Sequence, residues 1–162
     1  MSFLESLTNK ELRVYSKAEK LVEKARASHS ADIFMEASDH LEKNLSVVET
    51  MGLKYSDIHD AIGFGLLGMG RADPAAKNLD RALQLNPKNI SALNNRGMLA
   101  MNLGDFNGAM ARFDGALAID PNSKIVLTNR GLCLARMGQK EAAIQSLESA
   151  HRLDTADLPV VE

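Results

Sequence analysis

The sequence predicts an all-α fold built from repeated pairs of antiparallel helices, and three observations carry that expectation. Alanine and leucine supply 43 of the 162 residues, whereas valine, isoleucine and threonine supply 18, so the summed propensity favours helix over strand. The segments NPKNISALNNRG and DPNSKIVLTNRG recur 34 residues apart, a period that marks stacked repeats. The eleven glycines cost about 1 kcal/mol each inside a helix, yet six of them fall into two columns of that repeat.

Taken in chain order, the elements begin with Thr8-Asn9-Lys10-Glu11, a capping box. Leu12, Tyr15, Ala18, Leu21, Val22 and Ala25 follow at helical spacing, which predicts a helix near 9–28. Ile33, Phe34, Ala37, Leu41, Leu45 and Val48 predict a second helix that Gly52 closes. Leu41, Leu45 and Val48 stand one repeat length before Ala75, Leu79 and Ala82, so this helix reads as half of a degenerate unit. Residues 1–55 are therefore expected to form two capping helices.

From residue 56 onwards the columns are regular: Gly63, Gly97 and Gly131; Gly70, Gly104 and Gly138; Ala75, Ala109 and Ala143; Ala82, Ala116 and Ala150. Larger apolar residues keep the register as Leu79, Phe113 and Leu147, as Leu85, Ile119 and Leu153, and as Met69, Leu103 and Met137. Gly70, Gly104 and Gly138 suit a left-handed residue that ends a helix. Asp73-Pro74 reads as an N-cap followed by proline at the first helical position. Asn86-Pro87 and Asp120-Pro121 stop the second helix of a pair, because a residue before proline avoids helical angles. Gly63, Gly97 and Gly131 fall mid-helix and are expected opposite the alanines of the partner helix. Units then run over 56–89, 90–123 and 124–155, with a tail at 156–162, giving eight helices in all.

These columns resemble the tetratricopeptide repeat family, most specifically over the last two units, which share Asn-Arg-Gly at 95–97 and 129–131. The resemblance implies a right-handed α-solenoid, an αα-superhelix of three such helix pairs preceded by two N-terminal helices. The first unit departs by placing His59 where Leu93 and Leu127 follow, and the last by placing Thr155 where Pro87 and Pro121 stand. His151 and Arg152 replace Leu83 and Leu117, and Gln84 and Ala118, so the last helix reads as a polar end cap. Ile144 stays apolar there, which leaves weak self-association as the alternative.

The chemistry of the chain points away from catalysis. His29, His40, His59 and His151 share no ligand spacing, and no cofactor motif or metal set is expected. GFGLLGMG at 63–70 follows the repeat register and no strand, so it is weak as a phosphate loop; Gly65, Gly68, Gly108 and Gly115 fit no column. Cys133 has Arg130 and Arg136 within a helical turn, which favours a thiolate, but its helix is expected to pack and leave the thiol inert. A single cysteine needs no oxidising compartment, and a cytoplasmic location is the simplest expectation. With a net charge of -2, and eleven basic against twelve acidic residues in 56–162, no nucleic-acid footprint is present. No run reaches the length of a membrane span.

In the family that the columns resemble, the first helix of each unit lines a concave groove for a segment of another protein. Carried onto this chain, the groove residues are Asp57, Asp60, Phe64 and Leu67; Asn94, Asn95, Met98, Met101 and Asn102; and Ile125, Thr128, Asn129, Leu132 and Arg136. Amides there would hold a peptide backbone, and methionines would adapt to apolar side chains. The family's clamp for chaperone C-terminal carboxylates needs lysines and an arginine where this chain has Asp60, Ile125 and Asn129, so that function is not expected. A non-enzymatic adaptor is the first reading. A small dedicated chaperone, similar in architecture to type III secretion translocator chaperones, and a homo-oligomeric scaffold are the alternatives.

Overall fold

The computed structural model describes residues 8–155. The expected tail at 156–162 and the first seven residues lie outside them. Nine helices are present among the described residues: α1 (Asn9–Ser28), α2 (Ala31–Glu42), α3 (Leu45–Thr50), α4 (Gly52–Gly68), α5 (Ala72–Leu85), α6 (Ile90–Asn102), α7 (Phe106–Ile119), α8 (Lys124–Arg136) and α9 (Lys140–Thr155). The fold is an all-α solenoid. It divides into two compact units, Met1–Ala92 and Leu93–Glu162.

In the first unit, α1 starts as the sequence predicts: the Thr8 hydroxyl accepts from the Glu11 amide, and the Glu11 carboxylate accepts from the Thr8 amide at 2.8 Å. That bonding holds the Glu11 carboxyl below its usual range. Helix α1 ends at His29, which takes the left-handed conformation (φ 49°), and Ser30 then caps α2 by accepting from the Ile33 amide. The second helix does not run on to Gly52. It breaks after Glu42, where the Asn44 side chain donates to the His40 carbonyl at 2.8 Å and its backbone leaves the helical region (φ -124°, ψ 32°). A six-residue α3 follows. Gly52 begins α4 rather than closing a helix, so the expected eight helices become nine and the first helix of the next pair starts before residue 56.

Helix α4 packs along α5, and both α1 and α2 pack on α4. Gly70, Gly104 and Gly138 all have positive φ (70°, 83° and 77°), and the Arg71 amide reaches back to the Leu66 carbonyl at 2.9 Å, the bond that closes a glycine-ended helix. The expected cap at Asp73 is shifted: α5 already begins at Ala72, with Arg71 in the cap position and no side-chain cap bond. The tight turn at Gly70 brings the chain into helix two residues early, and Asp73 and Pro74 lie within the first turn, where a carboxylate favours the helix dipole and a missing N–H costs nothing.

The mid-helix glycines meet the large apolar column rather than the alanines. A methyl group on Gly63 would lie 2.6 Å from Leu79, one on Gly97 2.6 Å from Phe113, and one on Gly131 2.7 Å from Leu147. The alanines contribute only backbone, with the Ala75 and Ala143 carbonyls 3.3 Å from Gly63 and Gly131. In the second unit α8 packs on both α7 and α9, Asp105 caps α7 through the Gly108 amide at 2.9 Å, and Arg130 pairs with Asp114 at 2.7 Å.

Two of the four glycines without a column also gain a reason. A methyl group on Gly65 would overlap the Phe34 ring of α2, and one on Gly108 would overlap the Asp105 carboxylate. Gly68 and Gly115 face open space. The contrast makes a test: Gly115→Ala should stabilise by about 0.5–1 kcal/mol through helix propensity, while Gly65→Ala should destabilise, because overlap with the ring outweighs the same gain. Urea denaturation of the two variants should move in opposite directions.

Candidate functional site

In the first unit, Asp57, Asp60, Phe64 and Leu67 share one face of α4, as the helical period requires. The structure exposes Asp57 and Phe64 (52% for the latter) and half-buries Leu67. Asp60 is buried and accepts from the Ser91 hydroxyl at 2.6 Å. Helix α1 widens this face in a way that the sequence reading missed. Tyr15, Glu19, Val22, Glu23 and Arg26 of α1 meet Asp57, Ile58 and Ala61 of α4 around a cleft of about 240 Å³. The signal was a second stripe on α1 at helical spacing, masked by the stronger apolar one. Burial and a bond to Glu19 push the Tyr15 phenol above its ordinary range, and its ring stands edge-on to Tyr55 at 5.7 Å.

The second unit sorts its candidate residues differently. Asn102, Ile125, Leu132 and Arg136 are exposed, Met98, Thr128 and Asn129 are half-buried, and Asn94, Asn95 and Met101 are buried. The Asn129 side-chain amide donates to Asn94 Oδ1 at 2.8 Å, and the Asn94 Nδ2 points at the Met98 sulfur at 3.6 Å. These amides tie α6 to α8, so most of the asparagine column serves packing. What α8 displays is Ile125 and Leu132, seven residues apart and 63% and 47% exposed, with Thr128 and Asn129 between them.

His59 is buried in the first unit. Its Nδ1 lies 2.9 Å from Asn78 Oδ1. Both protons of the Asn78 amide are already committed, to Ser38 Oγ and the Pro74 carbonyl, each at 3.0 Å. The amide oxygen must therefore accept, which puts the proton of neutral His59 on Nδ1. Nε2 is left as a buried acceptor without a protein partner, beside a cleft of about 330 Å³ that Arg81 and the Lys77–Glu42 ion pair also line. Burial pushes the His59 pKa down, with the Asn78 bond and Glu42 opposing and Arg81 assisting. Burial also holds the Cys133 thiol above its usual value despite Arg136; its sulfur faces the Phe106 carbonyl. Among the described residues no three histidine, cysteine or carboxylate side chains are placed to hold a metal ion, and no helix is long and apolar enough to cross a membrane.

Paired helices joined by left-handed glycines and repeated every 34 residues define a helical repeat protein. The tetratricopeptide repeat family matches it in two stretches, residues 66–126 and 126–157, and the chain belongs to that family. No curated protein sequence matches it significantly. Among solved structures, the second repeat domain of Spaghetti (RPAP3) bound to the HSP90 peptide SRMEEVD aligns at 18% identity over 65% of this chain and 97% of that one, with a TM-score of 0.60. MamA aligns at 15% identity over 92% of this chain and 98% of its own, TM-score 0.59. YrrB, described as a repeat protein with an unusual peptide-binding site, aligns at 22% identity over 92% and 90%, TM-score 0.60. At these identities the likeness is one of fold.

The His59 arrangement sets a pH dependence. Its folded pKa lies below the ordinary value of about 6.5, so the unfolded chain binds the proton more readily and stability falls as pH drops below about 6.5. His40, lowered chiefly by burial, acts in the same direction. Urea midpoints measured from pH 7.5 to 5.5 should decline for the natural chain and decline less for His59→Leu.

Proposed function

We propose that the chain is a non-enzymatic protein-interaction module, which holds a short segment of a partner protein on the exposed face of α8. The observation that carries this reading is the face of α8, where Ile125 and Leu132 remain 63% and 47% exposed although their helix is otherwise well packed. Exposed large apolar residues at that spacing, with a threonine and an amide between them, suit an amphipathic segment. Phe64 and Asp57 offer a similar mixture on α4. The peptide bound by the Spaghetti domain and the peptide-binding site described for YrrB support the reading by showing how this fold is used elsewhere.

The chaperone-tail clamp is not part of the proposal. Asp60 occupies one of the positions where that clamp needs a cation, and it is spent on Ser91; a second carboxylate brought there meets repulsion rather than a partner.

The test is to select ligands from a random peptide library against the full chain and to measure the best of them by calorimetry. Leu132→Asp should weaken that peptide at least tenfold and Asn129→Ala severalfold, with helicity unchanged, while an SRMEEVD peptide should show no measurable heat. Equal affinity in Leu132→Asp, or tight binding of SRMEEVD, would sink the assignment.

A further inference from the structure

Helix α1 gathers its lysines on one face. Lys10, Arg13, Lys17, Lys20 and Lys24 are all exposed and recur every three or four residues, which sets them within about 80° of one another along about 21 Å of helix. None of these cations forms an ion pair among the described residues. Arg13, Lys17, Lys20 and Lys24 line a cleft of about 580 Å³ together with Leu12, Ser16 and Leu21. The fold shows what such a face receives elsewhere. In the register that sets His29 on Gly70, Lys17, Lys20 and Lys24 fall on Ile58, Ala61 and Gly65 of α4. There α2 packs against α4, with the Phe34 ring seated at Gly65. No described helix fills the matching place on α1.

We propose that this place receives an acidic amphipathic helix of a partner protein, whose carboxylates, spaced three and four residues apart, meet the lysines while its apolar side chains enter the cleft. An apolar helix such as α2 would strip water from the lysines without pairing them. A broad anionic surface, whether bilayer or nucleic acid, fits less well, because carboxylates border the stripe. Glu19 and Glu23 flank it on α1, and Glu36 of α2 acts with Lys17 on His40. A partner as narrow as one helix avoids them. The seven residues before Thr8 hold one carboxylate, Glu5, too few to match the stripe. Exposed ion pairs are individually weak and are screened by salt, so the complex depends steeply on ionic strength.

Fluorescence anisotropy on the full chain tests this, with a labelled synthetic helix of about 18 residues that carries glutamates along one stripe and leucines beside it. The peptide should bind, and at least tenfold more weakly at about 300 mM salt than at about 50 mM. A peptide of the same composition with its glutamates spread around the helix should bind at least tenfold more weakly. Lys17→Glu combined with Lys20→Glu should cost at least tenfold with unchanged circular dichroism, and a peptide with lysines for glutamates should prefer that variant to the natural chain. Leu132→Asp should change nothing, which separates this surface from the face of α8. Absence of binding, equal affinity for the two acidic peptides, indifference to the lysine changes, no reversal of preference, or loss on Leu132→Asp would each overturn the proposal. So would tighter lysine-dependent binding of phosphatidylserine vesicles or duplex RNA.

Discussion

The interlock between a glycine in the first helix of a pair and a large apolar side chain in the second is the contact on which this fold depends. Gly63 receives Leu79, Gly97 receives Phe113, and Gly131 receives Leu147. A glycine costs its helix about 1 kcal/mol, but full burial of a leucine or phenylalanine contributes about 1.5–3 kcal/mol. Leu79 and Phe113 are completely buried, so the exchange is favourable at those pairs. Helix separation, pair angle and the position of the outward faces all follow from that close approach. Left-handed glycines at 70, 104 and 138 then return the chain so that the interlock can form.

The first helix pair reaches the same end with different residues. His29, in the left-handed conformation, stands 41 residues before Gly70, and in that register buried Val14, Leu21 and Ala25 correspond to buried Tyr55, Ile62 and Leu66. The expected register of 34 was therefore seven residues short, and the break at Asn44 with the short α3 absorbs the excess. Val22 occupies the place of Gly63 and Ser38 the place of Leu79, so the bulk has moved from the second helix to the first. Phe34 replaces the small Ala75, and Gly65 makes room for its ring. The junction is completed by the chain of bonds from His59 through Asn78 to Ser38. A buried polar chain of this kind fixes one arrangement of α2, α4 and α5, at the cost of the unmatched Nε2.

Periodic features were legible in the sequence because each residue in a column repeats its role: the glycine turns, the proline-terminated helices and the packing glycines all stand where the register puts them. What was hidden depended on contacts far apart in sequence. His29 was hard to single out as a left-handed turn residue, since non-glycine residues seldom take positive φ even though histidine is enriched among those that do. The Asn44 break arises from a side chain competing for its own helix. Gly65 made no sense until Phe34, 31 residues earlier, was placed against it. The asparagines were harder still: Asn94 and Asn129 lie on the helical face that the period assigns them, but their bond to each other withdraws Asn94 into the packing.

That last point separates the two kinds of position on the first helices. Where packing is demanded the columns hardly vary, as at 63, 97 and 131, all glycine. At 57, 91 and 125 the residues are Asp, Ser and Ile, and all three are exposed; at 64, 98 and 132 they are Phe, Met and Leu, exposed, half-buried and exposed. The position at 60, 94 and 128 runs from buried Asp60 and Asn94 to half-buried Thr128, so its first two members answer to the fold and only the third is open to a ligand. Freedom from packing, rather than membership of a helical face, therefore decides which side chains can select a partner. On α4 those are Asp57 and Phe64, and on α8 Ile125 and Leu132: the same helical positions carry different chemistry once packing no longer dictates it.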